Sequence, residues 1–220
     1  MRNNMQVWLL HVAEQLPVDG ATRVYRYGYL ARALQEAGHD VLRWAPTYNH
    51  CTKQFRFLAD CRVAIDRHYA IQFVHSPGYR RNAGLERLRT YRVLARRFRE
   101  MATCEERPDL IVAAIPSLEW AEAAVDFGAA HGVPVVVDVR DIWPDVYLNA
   151  LPRPARPLGR LALAPSYRMA RRACQRAATL TAVSQSYLDW ALRLAARAQQ
   201  PHDMVAPLGF EPEPMSADAL

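Results

Sequence analysis

Residues 133–145 read VPVVVDVRDIWPD, and the fold follows from the order of that stretch. An unbroken run of apolar, β-branched residues is what a strand covered on both faces requires. The run delivers Asp138, Arg140, Asp141 and Asp145, with Trp143 among them, at its carboxyl end. Upstream, residues 109–114 form a second buried-strand run, and 117–130 between the two predicts a helix with Ser117 as its N-cap. Downstream, 166–177 predicts a helix, 179–183 a strand, 184–196 a helix capped by Ser184, and 203–206 a short last strand. Toward the N-terminus, 6–12 and 40–45 predict strands, and 62–75 predicts one or two more with a turn near 66–68. In 23–37, Tyr27, Leu30, Ala31 and Leu34 fall at i, i+3, i+4 and i+7, one face of a helix. Residues 85–102 predict a long helix, and 152–165, rich in proline, a loop or a broken helix. Such alternation specifies an α/β layered fold around a mostly parallel sheet of about seven strands.

Composition narrows the function. Of 220 residues, 51% are apolar and 23% charged, the balance of a globular domain rather than a disordered chain. No apolar run approaches the ~20 residues of a membrane span. The N-terminal apolar stretch has no small-residue cleavage site behind it, so no signal peptide is expected. Four scattered cysteines without a CxxC pair exclude a zinc ribbon and a disulfide scaffold, and fit a reducing cytoplasm. No metal-ligand spacing, P-loop, HExxH or GxSxG is present, so no metal is expected. The net charge of +6 is unevenly placed. Residues 79–99 and 153–176 each net +7, which leaves the remainder at −8. In the first strip Arg89, Arg92, Arg96 and Arg99 share a helix face opposite Tyr91, Leu94, Ala95, Phe98 and Met101. Such strips fit an anionic partner or, more plainly, a solvated face. With no helix-turn-helix, RNA-recognition or zinc-finger signature, a nucleic-acid partner is not expected.

Open parallel sheets bind ligands outside the carboxyl ends of their strands, which directs attention to the loops there. Gly20, after the first strand, lets the backbone turn toward a ligand and the next helix present its N-terminus to an anion, or it simply makes a strand-to-helix turn. His50 and Lys53, the only lysine, follow the second strand, and Tyr79 and Asn82 follow another. The 138–145 cluster is the sharpest feature. Three carboxylates and a guanidinium at one strand end suit general-base and clamp chemistry, with a loop-orienting Arg140 salt bridge and a packed Trp143 as the structural alternative.

The order of motifs resembles the N-terminal half of bacterial family 4 glycosyltransferases of the GT-B fold, nearest the lipopolysaccharide and O-antigen enzymes similar to fucosaminyltransferases. The likeness runs through residues 17–23, 30–41 (LARALQEAGHDV), 49–53, 77–82, 107–112 (RPDLIV), 133–145, 182–184 and 205–210 (VAPLGF). It departs where Gly20 stands alone instead of a glycine pair, and where Pro207-Leu208-Gly209 replaces PNG. The resemblance implies a Rossmann-like, doubly wound domain over 1–209 with helices on both faces, then a linker from 210 to a C-terminal domain that grips the nucleotide sugar. That donor-binding domain would be in the same or another chain, and the resemblance implies retaining transfer from the sugar nucleotide to a saccharide or lipid-linked saccharide, without a cofactor or metal. Gly20 would face the donor phosphates and Asp141 the reacting centre. Arg140 and Trp143 would hold that loop or touch the acceptor, and His50, Lys53, Tyr79 and Asn82 would line the acceptor side. The arginines of 85–102 would meet the anionic inner face of the cytoplasmic membrane. A stand-alone, non-catalytic binding or regulatory module of the same fold is the other reading.

Overall fold

The computed structural model describes residues 4–20, 23–82 and 84–209; the expected linker from 210 onward lies outside them. Its strands are β1 (Gln6–Leu10), β2 (Asp40–Pro46), β3 (Cys61–Asp66), β4 (Tyr69–Val74), β5 (Leu110–Ile115), β6 (Val135–Val139), β7 (Thr179–Ala182) and β8 (Met204–Val205). They form one sheet ordered β3-β4-β2-β1-β5-β6-β7-β8. Every pairing is parallel except the β3–β4 hairpin, which divides residues 62–75 and closes one edge.

Side chains alternate across a strand, so each strand feeds two cores. Val7 and Leu9 of β1 join Val41, Ile71, Val112 and Ala114 beneath α1 (Arg26–Glu36), which buries Tyr27 and Ala31 there. Trp8 and Leu10 face the other way, with Trp44, Ile111, Val137 and Leu180. That face is covered by α2 (Leu85–Ala102), α3 (Leu118–His131), α6 (Ala164–Arg176) and α7 (Gln185–Ala195). Trp8 stands at the centre of the larger core, 5.2 Å from both Trp44 and Phe127. Helices thus cover both faces, as the resemblance implies.

Two short helices, α4 (Asp145–Ala150) and α5 (Arg156–Ala162), follow β6, so the proline-rich stretch is a broken helix. Pro165 lies in the first turn of α6, where a missing N–H leaves no helical bond unmade. The expected serine caps are corrected. Ser117 and Ser184 stand at the N-cap positions of α3 and α7, yet neither side chain caps its helix. Ser117 has ψ 85, outside the extended range typical of a cap, and its hydroxyl is buried without a partner among the described residues. The Ser184 hydroxyl is taken by that of Ser186, 3.0 Å away. Among the described residues no helix is long and apolar enough to cross a membrane.

Candidate active site at the carboxyl edge of the sheet

The connection from β1 runs to one side, to β2, and the next parallel neighbour on the other side is β5. A crevice opens at the carboxyl ends of strands where the order diverges in this way. The loops after β1, β2, β4 and β6 therefore border the site, and they carry every loop residue singled out from the sequence.

The β2 loop is shaped by Asn49. Its side-chain oxygen accepts the N–H groups of Cys51 at 2.8 Å and Thr52 at 3.2 Å, and its carbonyl accepts that of Lys53 at 2.9 Å. This Asx turn holds Lys53 at φ 60, a left-handed conformation uncommon for lysine. Lys53 Nζ then reaches Asn82 Oδ1 at 2.5 Å, lies 3.5 Å from His50 Nδ1, and stands 4.7 Å above the Tyr79 ring. The Tyr79 hydroxyl is 2.6 Å from His50 Nδ1. Gly78 makes this approach possible: its φ is 74, and a Cβ there would come within 2.7 Å of the Tyr48 ring. His50, Lys53, Tyr79 and Asn82, 32 positions apart in sequence at their extremes, thus converge into one cluster. Tyr48, Phe55, Arg80 and Arg89 join Lys53 and Tyr79 around a cavity of about 360 Å³ beside it.

Arg87 of α2 is the residue that sequence reasoning missed. It donates to Tyr91 Oη at 3.0 Å and to the Asn82 carbonyl at 2.6 Å, and its guanidinium lies 4.4 Å from the Trp143 ring. One side chain thereby joins the β4 loop to the β6 loop. Its signal was present, four residues before Tyr91 on the helix, but it was submerged among eight arginines. Burial together with the Lys53 and Arg87 charges lowers the His50 pKa to about 4, so its imidazole is neutral at physiological pH. Burial and Arg87 also lower that of Lys53, while burial raises that of the Tyr79 phenol far above its ordinary range.

The 138–145 stretch does not form the expected carboxylate cluster; its three acids point to three different partners. Asp138 lies within β6 and, by strand alternation, faces α1, where Arg26 Nε and Nη2 each donate to it at 3.0 Å and the Thr181 hydroxyl at 2.8 Å. Asp145, in the first turn of α4, accepts from the Tyr167 hydroxyl and from Trp190 Nε1. Only Asp141 stays half-buried at the crevice. One of its oxygens accepts the Ile142 N–H at 2.9 Å, and the other accepts no hydrogen bond among the described residues. Trp143 is buried against Tyr147, with ring centroids 4.7 Å apart, and its peptide bond to Pro144 is cis.

Arg140 leaves this loop for the one after β1. It forms an ion pair with Glu14, and its Nη1 lies 2.9 Å from His11 Nε2. Glu14 also accepts from the buried Arg43 at 2.9 Å and from the Tyr27 N–H, in the first turn of α1, at 3.1 Å. This corrects the anion-site expectation for that helix: its positive N-terminus already holds a carboxylate of the same chain. Gly20 ends a 3₁₀ turn, Pro17–Asp19, at φ 65, and α1 begins only at Arg26, so the glycine and the helix end are not contiguous. Gly20 itself is exposed, with open space where a Cβ would stand.

His11 is buried, and burial with the Arg140 and Arg43 charges lowers its pKa well below 6.5. A histidine kept neutral in the folded state costs stability once the unfolded chain begins to bind the proton. The unfolded chain takes up protons below 6.5, whereas His50 in the folded chain does so only near 4. Urea midpoints are therefore expected to fall between those two pH values, and a His11→Gln/His50→Gln chain to flatten the fall. The paired carboxylates Asp19 and Asp203, held below 3.8 chiefly by Arg56 and Arg197 against the cost of burial, lose their contribution at more acid pH.

Arg89, Arg92, Arg96 and Arg99 do share an exposed face of α2. Arg96 is 3.7 Å from Glu100, and Arg99 is 3.7 Å from Asp126.

The family model described as a glycosyl transferase 4-like domain matches residues 20–205. That span runs from the turn after β1 through β8 and includes every loop of the site beyond Gly20. No curated protein matches the chain at a significant level. A parallel sheet with a crevice at its switch point, and a family match over most of its length, lead to one assignment: the chain belongs to the glycosyl transferase 4-like family, whose work is sugar transfer.

Proposed function

We propose that this chain is the acceptor-side half of a retaining glycosyltransferase that moves a sugar from a nucleotide sugar to a saccharide or lipid-linked saccharide. The product belongs to a cell-surface polysaccharide of the lipopolysaccharide or O-antigen type, made at the inner face of the cytoplasmic membrane. The observation that carries this reading is the convergence of His50, Lys53, Tyr79 and Asn82 with Trp143 through Arg87. Aromatic faces suit the apolar side of a sugar ring, and the polar tips around them suit its hydroxyls.

Asp141 stands at the reacting centre in this proposal. Its free carboxylate oxygen faces the carbon being transferred and stabilises the positive charge that grows there as the nucleotide leaves. Arg140 holds the Asp141 loop against Glu14, and Trp143 walls the acceptor. Gly20, exposed at the mouth, faces the donor phosphates held by a donor-binding domain in the same or another chain. No metal is assigned a part.

The test is transfer of labelled sugar from a panel of nucleotide sugars to lipid-extracted acceptor, with the donor-binding half supplied. Lys53→Met is expected to raise the acceptor KM about tenfold and to change kcat less, as loss of a charged hydrogen bond does. An unchanged acceptor KM would remove Lys53 and its cluster from the acceptor site.

A further inference from the structure

Residues 153–176 hold seven arginines and no carboxylate, and the fold separates them into two groups. Arg172 and Arg176 each reach Asp126 at 2.8 Å, and Arg156 donates to the carbonyls of Leu151 and Asn149. Arg153, Arg160, Arg168 and Arg171 are exposed and form no ion pair among the described residues. Three of these, Arg160, Arg168 and Arg171, line a cavity of about 550 Å³ with Tyr167. The one carboxylate at that cavity, Asp145, is already engaged by Tyr167 and Trp190.

Beside the cavity, Leu158 and Leu161 lie three residues apart on α5, both 73% exposed. The opposite side of α5 is pressed onto α4. A Cβ at Gly159 would stand 2.4 Å from Leu151 Cδ1 and 3.2 Å from Leu148 Cδ1, so a larger residue there would have to push those side chains aside. Since α4 starts at Asp145, directly after Trp143 and Pro144, the α4–α5 pair is the direct continuation of the Asp141 loop along the chain.

Apolar side chains projecting next to unpaired arginines are how a surface helix enters a lipid interface: the hydrocarbon goes into the acyl boundary while the cations meet headgroup phosphates. A polyanion in water gives the arginines a partner but leaves the leucines exposed. We propose that the α5–α6 ledge docks this chain on an anionic bilayer, with Leu158 and Leu161 entering the interface and Arg160, Arg168 and Arg171 taking lipid phosphates. A membrane-borne acceptor then approaches Trp143 and Asp141 from the ledge. This last step rests on the reading of a lipid-linked acceptor; the docking itself does not. The α2 face is the weaker candidate, because Arg96 and Arg99 already have acidic neighbours.

The experiment is co-sedimentation of the chain with phosphatidylcholine vesicles, with and without phosphatidylglycerol, at low and high salt. Binding is expected only with phosphatidylglycerol and is expected to fade with salt. Arg160→Gln/Arg168→Gln/Arg171→Gln should weaken it on the order of a hundredfold, at about fivefold per arginine. Leu158→Ser/Leu161→Ser should weaken it at least tenfold, since several buried methylene groups are lost. Arg89→Gln/Arg92→Gln should change it less than either. Equal binding to neutral vesicles, no binding at low salt, or loss confined to the α2 variant overturns the proposal. So does wild-type binding by both ledge variants. Each of those results leaves the transferase reading in place, because labelled-sugar transfer and the Asp141 variant test that reading separately.

Discussion

Asp141→Ala is expected to lower sugar transfer by about three orders of magnitude, with the donor-binding half supplied, and to leave the melting curve of the domain unchanged. The magnitude is that of losing a carboxylate which stabilises developing charge or moves a proton in a shielded site. The unchanged fold follows from geometry. Asp141 is half-buried, and among the described residues it accepts a hydrogen bond only from the adjacent Ile142 N–H, so no remote described residue is held by it through a hydrogen bond. Asp141→Asn separates charge from shape: it keeps the size of the side chain and is expected to be nearly as inactive as the alanine variant. The neighbouring Asp138 provides the contrast. Its bond pair with Arg26 joins β6 to α1, so Asp138→Asn should lower stability while the folded fraction turns over. Near-normal turnover by Asp141→Ala would reject the assignment of this residue to the reacting centre.

Glu14→Ala is expected to cost about 3–5 kcal/mol of folding stability, the effect of stripping one partner from a buried ion pair. Glu14 is the carboxylate that both Arg43 and Arg140 use, and the Arg43 side chain is 1% exposed. Two of the Arg43 nitrogens, Nε and Nη1, already lack partners among the described residues, so removal of Glu14 leaves a guanidinium buried with no compensation. Loss of several kcal/mol is a large share of the ~5–15 kcal/mol that holds a domain folded. Urea denaturation reads it directly. Replacing Arg43 by methionine in the same variant should recover most of the loss, because the stranded charge goes with it. A Glu14→Ala midpoint within about 1 kcal/mol of wild type would show that Arg43 finds another way to be solvated. If Asp141 stands at the reacting centre as proposed, activity should suffer as well, since the same carboxylate ties the Arg140 end of the Asp141 loop to the loop after β1.

The layered fold was legible because its signals are local. An all-apolar run such as 135–137 has no use except a strand covered on both faces, and the i, i+3, i+4 pattern of 85–102 has none except a helix with one buried side. Those two periodicities gave strand and helix positions to within a few residues, including the hairpin turn at 66–68. The loops that end up at the carboxyl edge were legible for the same reason, since the chain order of strand and helix determines which loops lie there. The helix-start and serine-cap expectations went further than local signals allow. Whether a helix begins at 23 or 26, and whether a serine hydroxyl turns inward, is decided by what else is packed nearby.

Pairing was decided by tertiary structure alone. In sequence, Asp138, Asp141 and Asp145 are one acidic cluster; in space, strand alternation gives the first to Arg26 and the turn into α4 gives the last to Tyr167 and Trp190. Glu14 was not singled out in the sequence; the sheet brings Arg43 from β2 and Arg140, just past β6, to it. Arg87 was one arginine among many until α2 crossed over Trp143. The sequence by itself determined which elements form and which loops share an edge, because hydrophobic period acts over neighbouring residues. Which charges meet depends on side-chain direction and on separations of 29 to 126 positions, and only the packed sheet and helices supply those.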